Sequence, residues 1–417
     1  MAQKIILDTD PGVDDVLAIL LSLSSPELEV ALISIVFGNT HAPVAHGNLL
    51  KIYHSLAKEI AEIPEAENRY ETLKQPGKKT LLALGEDGPI GGEKAVAAYF
   101  HGPDGLSNIT VTHPHFTPPE LEEDVPHEHL EISNKPSYQV MLDILREEDE
   151  DSVVIIALGP LTNLAHALRS DPTTFSRVSR IVWMGGTLEH PGNTSPTAEF
   201  NCFADPFAAS QILQACKSGL IEFILAPLDI TTPHAIPFSD LIHPTVVAIP
   251  DSNGNLPSKK DDTPTPLESF VSAMLVRVRG LQASFGLEDS MEMHDPVAVW
   301  FALTHATRKR NSPPLEEDGW RLVQRDFQIE KIGELTRGMC VVDRRGTGEE
   351  TGADRSKNEK LKNQGISSSS STKKDDSTGR MGEKLEKPKQ LPWIITQTPG
   401  IEELRKVLLG RVFGTQV

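Results

Sequence analysis

The residues of this chain that are best suited to chemistry stand in one acidic segment near its N-terminus, Asp8-Thr9-Asp10-Pro11-Gly12-Val13-Asp14-Asp15. Four carboxylates fall within these eight residues, between an apolar run typical of a buried strand and one typical of a helix. Carboxylates this crowded repel one another, so they need a bound cation or shared protons to coexist. Their oxygen atoms suit a hard divalent ion such as Ca²⁺ or Mg²⁺. The alternative is a solvated acidic turn, in which Asp14 and Asp15 only favour the start of the helix.

Two further polar segments lie far along the chain. The segment His294-Asp295-Pro296 places an imidazole and a carboxylate directly before an apolar run. The stretch 192–201 carries amides, a carboxylate and an aromatic ring within a few residues. Such a set suits the recognition of a polyhydroxylated ligand, and it also occurs in ordinary loops.

These segments must be positioned by the regular elements between them, and the hydrophobic pattern indicates what those are. Short apolar runs, each followed by Gly, Pro or Asp, alternate with helical patterns. This alternation predicts an α/β fold with a mostly parallel central sheet flanked by helices, an open Rossmann-like sheet. Ligands bind such sheets at the carboxyl ends of the strands, where the acidic segment falls. The predicted strands are 5–7, 28–37, 81–84, 153–158, 181–184 and 223–226.

The whole chain, 1–417, is predicted to form a single α/β domain with two insertions. Residues 108–135 are rich in proline, histidine and acidic residues and are predicted to be an irregular surface insertion. Residues 346–390 consist mainly of Ser, Lys, Glu, Asp and Gly, a composition that predicts a disordered low-complexity insertion. Regular structure is predicted on both sides of the second insertion, at 327–330, 339–342, 391–395 and 401–413.

Composition excludes some classes of partner. The chain has 40 Lys and Arg against 59 Asp and Glu, a net charge of −19, without a basic cluster that could bind nucleic acid or an anionic membrane. No stretch approaches the roughly 20 apolar residues of a membrane span, and no secretory signal fits before Asp8. The three cysteines lack metal-ligand spacing, which favours reduced thiols. We therefore predict a soluble, cytoplasmic protein.

Taken together, the motifs resemble those of the inosine-uridine preferring nucleoside hydrolase family. The resemblance runs in order from residue 2 to about residue 343, and it departs at the two insertions and after Asn39. It implies a mostly parallel α/β fold, bound Ca²⁺, hydrolysis of the N-glycosidic bond of ribonucleosides to ribose and free base, and a homo-oligomer. The segments that carry it are 8–15, 37–39, 158–163, 184–186, 193–201 and 293–296.

The resemblance also assigns roles to single residues. It implies that Asp14 is the general base acting on a calcium-bound water, that Asp8 supports its neighbours, and that His101 and His294 interact with the leaving base. Four groups would hold the calcium: Asp10, Asp15, Asp295 and the backbone carbonyl of Leu158. The substrate would be bound by Asn39, Met184, Asn193, Glu199, Phe200 and Asn201.

The implied reaction accounts for these residue types. Cleavage of the ribose–base bond builds oxocarbenium character on the sugar, which anionic surroundings stabilise. A histidine near neutral pH is a natural donor to the departing base, although His101 could instead be an ordinary surface-loop residue.

Two other functions remain open at this point. A haloacid-dehalogenase-like phosphatase also begins with a strand and Asp-x-Asp, and it uses the first of these aspartates as nucleophile. A relative that binds ribonucleosides without turnover would retain the same motifs. The preferred nucleobase, and the choice between nucleoside salvage and nicotinamide riboside turnover, are likewise left open by the sequence.

Overall fold

The computed structural model describes residues 2–74, 79–119, 127–249, 263–312, 316–344 and 390–415. Ten of the described strands form one sheet, in the order β10-β11-β14-β7-β6-β5-β1-β2-β3-β4. All neighbours from β14 to β4 are parallel, whereas β10 and β11 continue the sheet antiparallel at the other edge. The predicted α/β fold with a mostly parallel sheet is therefore confirmed.

The strands and helices have the following bounds. The strands are β1 Gln3–Thr9, β2 Leu28–Ile35, β3 Thr80–Leu84, β4 Leu130–Ser133, β5 Val153–Ala157, β6 Arg180–Met184, β7 Phe223–Ala226, β8 Ala235–Pro237, β9 Ser290–Glu292, β10 Glu316–Glu317, β11 Trp320–Gln324, β12 Gln328–Ile329, β13 Cys340–Val341 and β14 Trp393–Gln397. The α-helices are α1 Val13–Leu23, α2 Ala42–Glu62, α3 Ala66–Arg69, α4 Ala98–His101, α5 Ile109–Thr112, α6 Ser137–Glu147, α7 Thr162–Ser170, α8 Pro172–Phe175, α9 Phe200–Ala204, α10 Pro206–Lys217, α11 Leu228–Thr231, α12 Phe238–Leu241, α13 Pro266–Ser284, α14 His294–Thr304 and α15 Ile401–Phe413.

The sheet is buried on both faces, which explains why its strands read as unbroken apolar runs. Successive residues of β1 point to opposite sides, so that Ile5 and Leu7 join one hydrophobic layer and Ile6 joins the other. Helix α1 is buried along its whole length. A helix that is covered on all sides needs the continuous apolarity of residues 16–21.

The order of the strands creates a crevice in the middle of the sheet. The chain runs from β1 outward through β2, β3 and β4, then returns to place β5 on the other side of β1. The loops after β1 and β5 therefore diverge at a topological switch point, where open α/β sheets bind their ligands. The acidic segment leaves β1 at this point.

The two predicted insertions have different outcomes. At the end of 108–135 the structure differs from the irregular insertion we expected, because Leu130–Ser133 forms edge strand β4 and completes the backbone pairing of β3. Residues 120–126 and 346–389 lie outside the described residues. On both sides of the second segment the chain belongs to one sheet, since β14 lies between β7 and β11. The regular structure predicted at 327–330 and 339–342 is present as strands β12 and β13, which pair with each other.

Two further sequence features can be compared with the structure. All three cysteines are buried and free of disulfides. Among the described residues, no helix combines the length and the apolarity needed to cross a lipid bilayer.

Asn163, at the start of α7, connects the strands beneath the acidic segment. Its side-chain amide donates to Asp8 Oδ1 at 2.8 Å, to Ser34 Oγ at 3.1 Å and to the carbonyl of Ile35 at 3.0 Å. Its Oδ1 accepts from the backbone N–H of Glu86 at 2.9 Å. Burial raises the pKa of Asp8 to about 7, and the bonds from Ser34 and Asn163 oppose that rise.

We predict that Asn163→Ala lowers the free energy of unfolding by about 3 kcal/mol or more, because each buried partner left unsatisfied costs roughly 1–3 kcal/mol. Urea denaturation of the two proteins measures the difference. The matched control is Asn134→Ala at an exposed position, which we expect to change stability by less than about 0.5 kcal/mol. Equal midpoints for Asn163→Ala and Asn134→Ala would contradict the role of Asn163.

Candidate active site

Asp15 organises the acidic segment through both of its carboxylate oxygens. Its Oδ1 accepts from the hydroxyl of Thr9 and from the backbone N–H of Asp10, and its Oδ2 accepts from the backbone N–H of Gly12 at 3.0 Å. The side-chain amide of Asn39 donates to the same Oδ2 at 2.7 Å. Asp15 is fully buried, so the segment is not the solvated acidic turn that the sequence left open.

Two further carboxylates converge with that of Asp15. Asp14, Asp15 and Asp295 each offer an oxygen, and these oxygens lie within 4.8 Å of one another. Burial and the charge of Asp15 raise the pKa of Asp14 to about 7. Burial, together with the charges of Asp14 and Asp15, raises the pKa of Asp295 well above its usual range. A cluster of this kind favours a bound cation, which would offset the repulsion.

Asp10 adds a fourth carboxylate with a free oxygen. Its Oδ2 accepts from the backbone N–H of Asn39 at 2.7 Å. Its Oδ1 is buried and has no hydrogen-bond partner among the described residues. Burial and the charge of Asp15 raise the pKa of Asp10 well above its usual range. A buried, unpartnered carboxylate oxygen costs free energy unless a proton or a cation meets it, so the donor set fits a divalent metal.

Two glycines allow these groups to approach so closely. A Cβ atom at Gly12 would lie 2.5 Å from Asn39 Nδ2 and 2.6 Å from His101 Nδ1. A Cβ atom at Gly38 would lie 2.0 Å from Asp10 Oδ2. Any larger residue at either position would displace a polar side chain of the site, which explains why glycine stands in both loops.

The loops after β5 and β6 form the opposite side. The side-chain amide of Asn201 donates to the carbonyls of Leu158 at 2.7 Å and Met184 at 3.0 Å. Glu199 caps α9, and its carboxylate accepts from the backbone N–H groups of Gly186, Asn201 and Cys202 at 2.6–3.0 Å. Glu199 and Asn201, which the resemblance implies bind the substrate, thus also hold these loops together.

A cavity of about 270 Å³ opens between these two sides. The residues that line this cavity do not include Asp10, Asp15 or Leu158. These three residues adjoin others that do line it. The residues named from the sequence that line it are Asp14, Asn39, His101, Met184, Asn193, Glu199, Phe200, Asn201, His294 and Asp295.

Other lining residues were missed by the sequence analysis. Tyr99, Phe285 and Leu287 are at least 59% exposed, so they form an apolar part of the wall open to solvent. Gln282, on α13, also lines the cavity, and its buried Oε1 has no hydrogen-bond partner among the described residues. One feature of the sequence could have identified Gln282, Phe285 and Leu287, namely their position shortly before the His294 motif.

His101 is a buried, neutral imidazole. The backbone N–H of Val13 donates to His101 Nδ1 at 3.2 Å, so the proton of the neutral ring resides on Nε2. Burial, together with the positive charges of Arg277 and His294, lowers the pKa of His101 to about 3. The residue is 7% exposed, so it is not an ordinary surface-loop histidine.

His294 has the opposite electrostatic environment. Its Nε2 lies 2.9 Å from a carboxylate oxygen of Glu292, and its Nδ1 lies 2.8 Å from the hydroxyl of Thr231. Burial opposes the charged form, but the bond to Glu292 and the charges of Asp14 and Glu199 outweigh it and raise the pKa of His294. The surroundings of the two cavity histidines therefore shift their pKa values in opposite directions.

Comparison with known proteins agrees with this geometry. The family model described as inosine-uridine preferring nucleoside hydrolase matches residues 5–368. The chain is 30% identical to the pyrimidine-specific ribonucleoside hydrolase RihA of Salmonella arizonae, over 82% of this chain and 89% of that protein. It is 35% identical to uridine nucleosidase 1 of Arabidopsis thaliana, over 58% of this chain and 60% of that protein.

A solved structure shares the fold. The inosine-guanosine nucleoside hydrolase superposes with a TM-score of 0.67 at 23% identity, covering 99% of each chain. The family model spans most of the chain, including every segment that contributes to the cavity. The chain therefore belongs to the inosine-uridine preferring nucleoside hydrolase family, and it is a nucleoside hydrolase.

Proposed function

We propose that this enzyme hydrolyses the N-glycosidic bond of pyrimidine ribonucleosides, uridine first among them, with Ca²⁺ as its cofactor and Asp14 as the base. The observation that carries the proposal is the buried convergence of Asp14, Asp15 and Asp295 on the cavity. The names of the relatives, a uridine nucleosidase and a pyrimidine-specific hydrolase, support the substrate class.

The proposed metal ligands are Asp10, Asp15, Asp295 and the carbonyl of Leu158. The unpartnered Oδ1 of Asp10 supports this set, and the Leu158 carbonyl keeps one lone pair beyond its bond from Asn201. When bound, Ca²⁺ would supply positive charge that offsets part of the charge of the buried carboxylates and favours ionisation of the attacking water.

Asp14 then takes the proton from that water. Its carboxylate reaches the cavity, where a positioned carboxylate can act as a general base. We assign the ribose hydroxyls to the cavity side chains of Asn39, Asn193, Glu199 and Asn201. The carboxylates also stabilise the positive charge that develops on the ribose ring as the bond breaks.

We assign the leaving base to His101. With a pKa of about 3 its ring is neutral, and its Nε2–H has no acceptor among the described residues. It therefore donates a hydrogen bond to the departing base rather than acting as an imidazolium acid. Both nitrogens of His294 are already engaged by Glu292 and Thr231, so we do not assign it a bond to the base.

We assign contacts with the nucleobase to Gln282 and to the apolar part of the cavity wall. The unpartnered Oε1 of Gln282 is an acceptor, and uracil offers an N–H donor. The rings of Tyr99 and Phe285 provide apolar surface for a planar base. The homo-oligomer and the cytoplasmic location stay predictions, and the choice between nucleoside salvage and nicotinamide riboside turnover stays open.

The phosphatase alternative requires a nucleophilic aspartate that the substrate can reach, and the structure argues against it. In that reaction the first aspartate of Asp-x-Asp attacks the substrate, and here it would be Asp8. Asp8 is fully buried, bonded to Ser34 and Asn163, and absent from the cavity lining. A measurement of turnover distinguishes a hydrolase from a relative that only binds ribonucleosides.

We predict that Asp14→Asn lowers kcat for ribose release from uridine by about 100-fold or more, because a neutral amide cannot accept the proton. Binding of free ribose, measured by calorimetry, should change little. The matched control is Asp149→Asn, a change of the same kind at an exposed position, with kcat unaltered. Near-wild-type turnover by Asp14→Asn would refute the assignment of the base.

Metal dependence is tested by thermal unfolding and ribose release together. We expect chelation to abolish turnover, and added Ca²⁺ to restore it and to raise Tm, because a ligand of the folded state stabilises it. In Asp10→Asn the calcium-dependent rise in Tm should disappear, while the metal-free Tm stays equal or increases since a buried carboxylate is removed. Restoration by Mg²⁺ and not by Ca²⁺ would overturn the choice of metal.

The leaving-group role of His101 is tested by comparing two substrates. We predict that His101→Ala lowers kcat for uridine by about 100-fold, within the usual range for a positioned donor. Its effect on p-nitrophenyl β-D-ribofuranoside should be less than about 3-fold, because nitrophenolate leaves without assistance. An equal loss on both substrates would contradict the role.

A further inference from the structure

A buried amide connects the acidic segment to the segment that follows His101. Asn48, on α2, is fully buried. Its Nδ2 donates to the carbonyl of Pro11 at 3.1 Å and to the carbonyl of Asp104 at 2.7 Å. Pro11 belongs to the acidic segment, and Asp104 lies three residues after His101. One side chain thus ties together two loops that are far apart in sequence.

A buried lysine sets the orientation of this amide. Lys51 Nζ donates to Asn48 Oδ1 at 3.0 Å and to the hydroxyl of Thr110 at 2.8 Å. An ammonium group can only donate, so the oxygen of Asn48 must face Lys51 and its NH₂ group must face the two carbonyls. Lys51 is 4% exposed, which leaves it little freedom to move away.

The carboxylate of Asp104 shapes the segment on the other side. It accepts from the backbone N–H groups of Leu106, Asn108 and Thr110 at 2.6–3.0 Å, and from the hydroxyl of Thr110 at 2.7 Å. These bonds make residues 104–110 a compact turn whose shape does not depend on solvent.

The turn lies directly against Asn48. Gly105 has a φ of +75°, and a Cβ atom there would lie 3.0 Å from Asn48 Nδ2 and 2.9 Å from Thr40 Cγ2. The backbone N–H of Ser107 donates to the carbonyl of His101 at 2.7 Å, so a displacement of the turn moves His101 with it.

We propose that Asn48 is a positioning residue for His101. By holding the turn against the acidic segment, it keeps His101 Nδ1 within bonding distance of the Val13 N–H and thereby keeps the proton of the ring on Nε2. This inference rests on the proposed role of His101 at the leaving base. Without the amide, the ring loses its alignment while the carboxylate cluster keeps its other bonds from Thr9, Gly12 and Asn39.

The test uses the full chain and two substrates, uridine and p-nitrophenyl β-D-ribofuranoside. Asn48→Leu removes both donors and keeps the number and branching of the side-chain heavy atoms. We expect kcat for uridine to fall by about 100-fold, the scale of a misplacement of about 1 Å, and kcat for the nitrophenyl riboside to fall less than about 3-fold. In a His101→Ala background Asn48→Leu should have little further effect on uridine, since both changes act through one group.

A second variant guards against a folding defect. Asn48→Asp is nearly isosteric and still accepts from Lys51, but its carboxylate cannot donate to the two carbonyls. We expect the same selective loss on uridine. The control is Ile52→Ala, another fully buried position of α2, which should lower Tm without changing the ratio of the two rates.

The outcomes separate the two proposals. If His101→Ala is selective for uridine while both Asn48 variants reduce the two substrates equally, or reduce neither, the positioning role is overturned and the role of His101 stands. If His101→Ala is itself unselective, the leaving-group assignment fails, and the present inference fails with it.

Discussion

The rest of the site depends on one constraint, which is that negative charge is buried at the carboxyl end of β1. Asp8, Asp10 and Asp15 are fully buried, and Asp14 is 8% exposed. Charges in such an environment repel strongly and lose their hydration. The fold offsets this with donors from several elements: the amide of Asn163 from α7, the amide of Asn39 from the loop after β2, and the backbone at the start of α1. Some carboxylate oxygens, such as Asp10 Oδ1, receive no hydrogen bond from the described residues. These oxygens make the cluster suited to binding a cation.

The same side chains that face the cavity also build it. Glu199 caps α9, Asn201 ties the loops after β5 and β6 together, and Asn193 accepts from the backbone of Phe200. Each of these groups is therefore held before a substrate arrives, which reduces the ordering cost on binding. Preorganisation of this kind explains why one short stretch of sequence carries so many polar residues.

The two cavity histidines show that the same side chain has a different pKa in different surroundings. His101 is buried, lies near cationic Arg277 and accepts from a backbone N–H, so its neutral form is favoured. His294 sits among Glu292, Asp14 and Glu199, so its charged form is favoured. Both residues are histidines in one cavity, and their chemistry differs because the surrounding charges differ in sign. The network of Asn48 and Lys51 extends this control to the placement of the His101 ring.

The sequence by itself determined the fold class and the membership of the site's main segments. Alternating apolar runs specify a parallel sheet with covering helices, and polar motifs that directly follow those runs must gather at one edge of it. Only the tertiary structure decided which carboxylates converge. Asp14, Asp15 and Asp295 each place an oxygen within 4.8 Å of the other two, although Asp295 lies far from the others in sequence.

The tertiary structure also added Gln282 from α13, Phe285 directly after that helix, the edge strand β4, and the bridge made by Asn48. The physical reason is the same for each. Local pattern fixes the direction and burial of an element, but a contact between side chains from distant segments depends on how whole elements pack, and no short stretch of sequence contains that information.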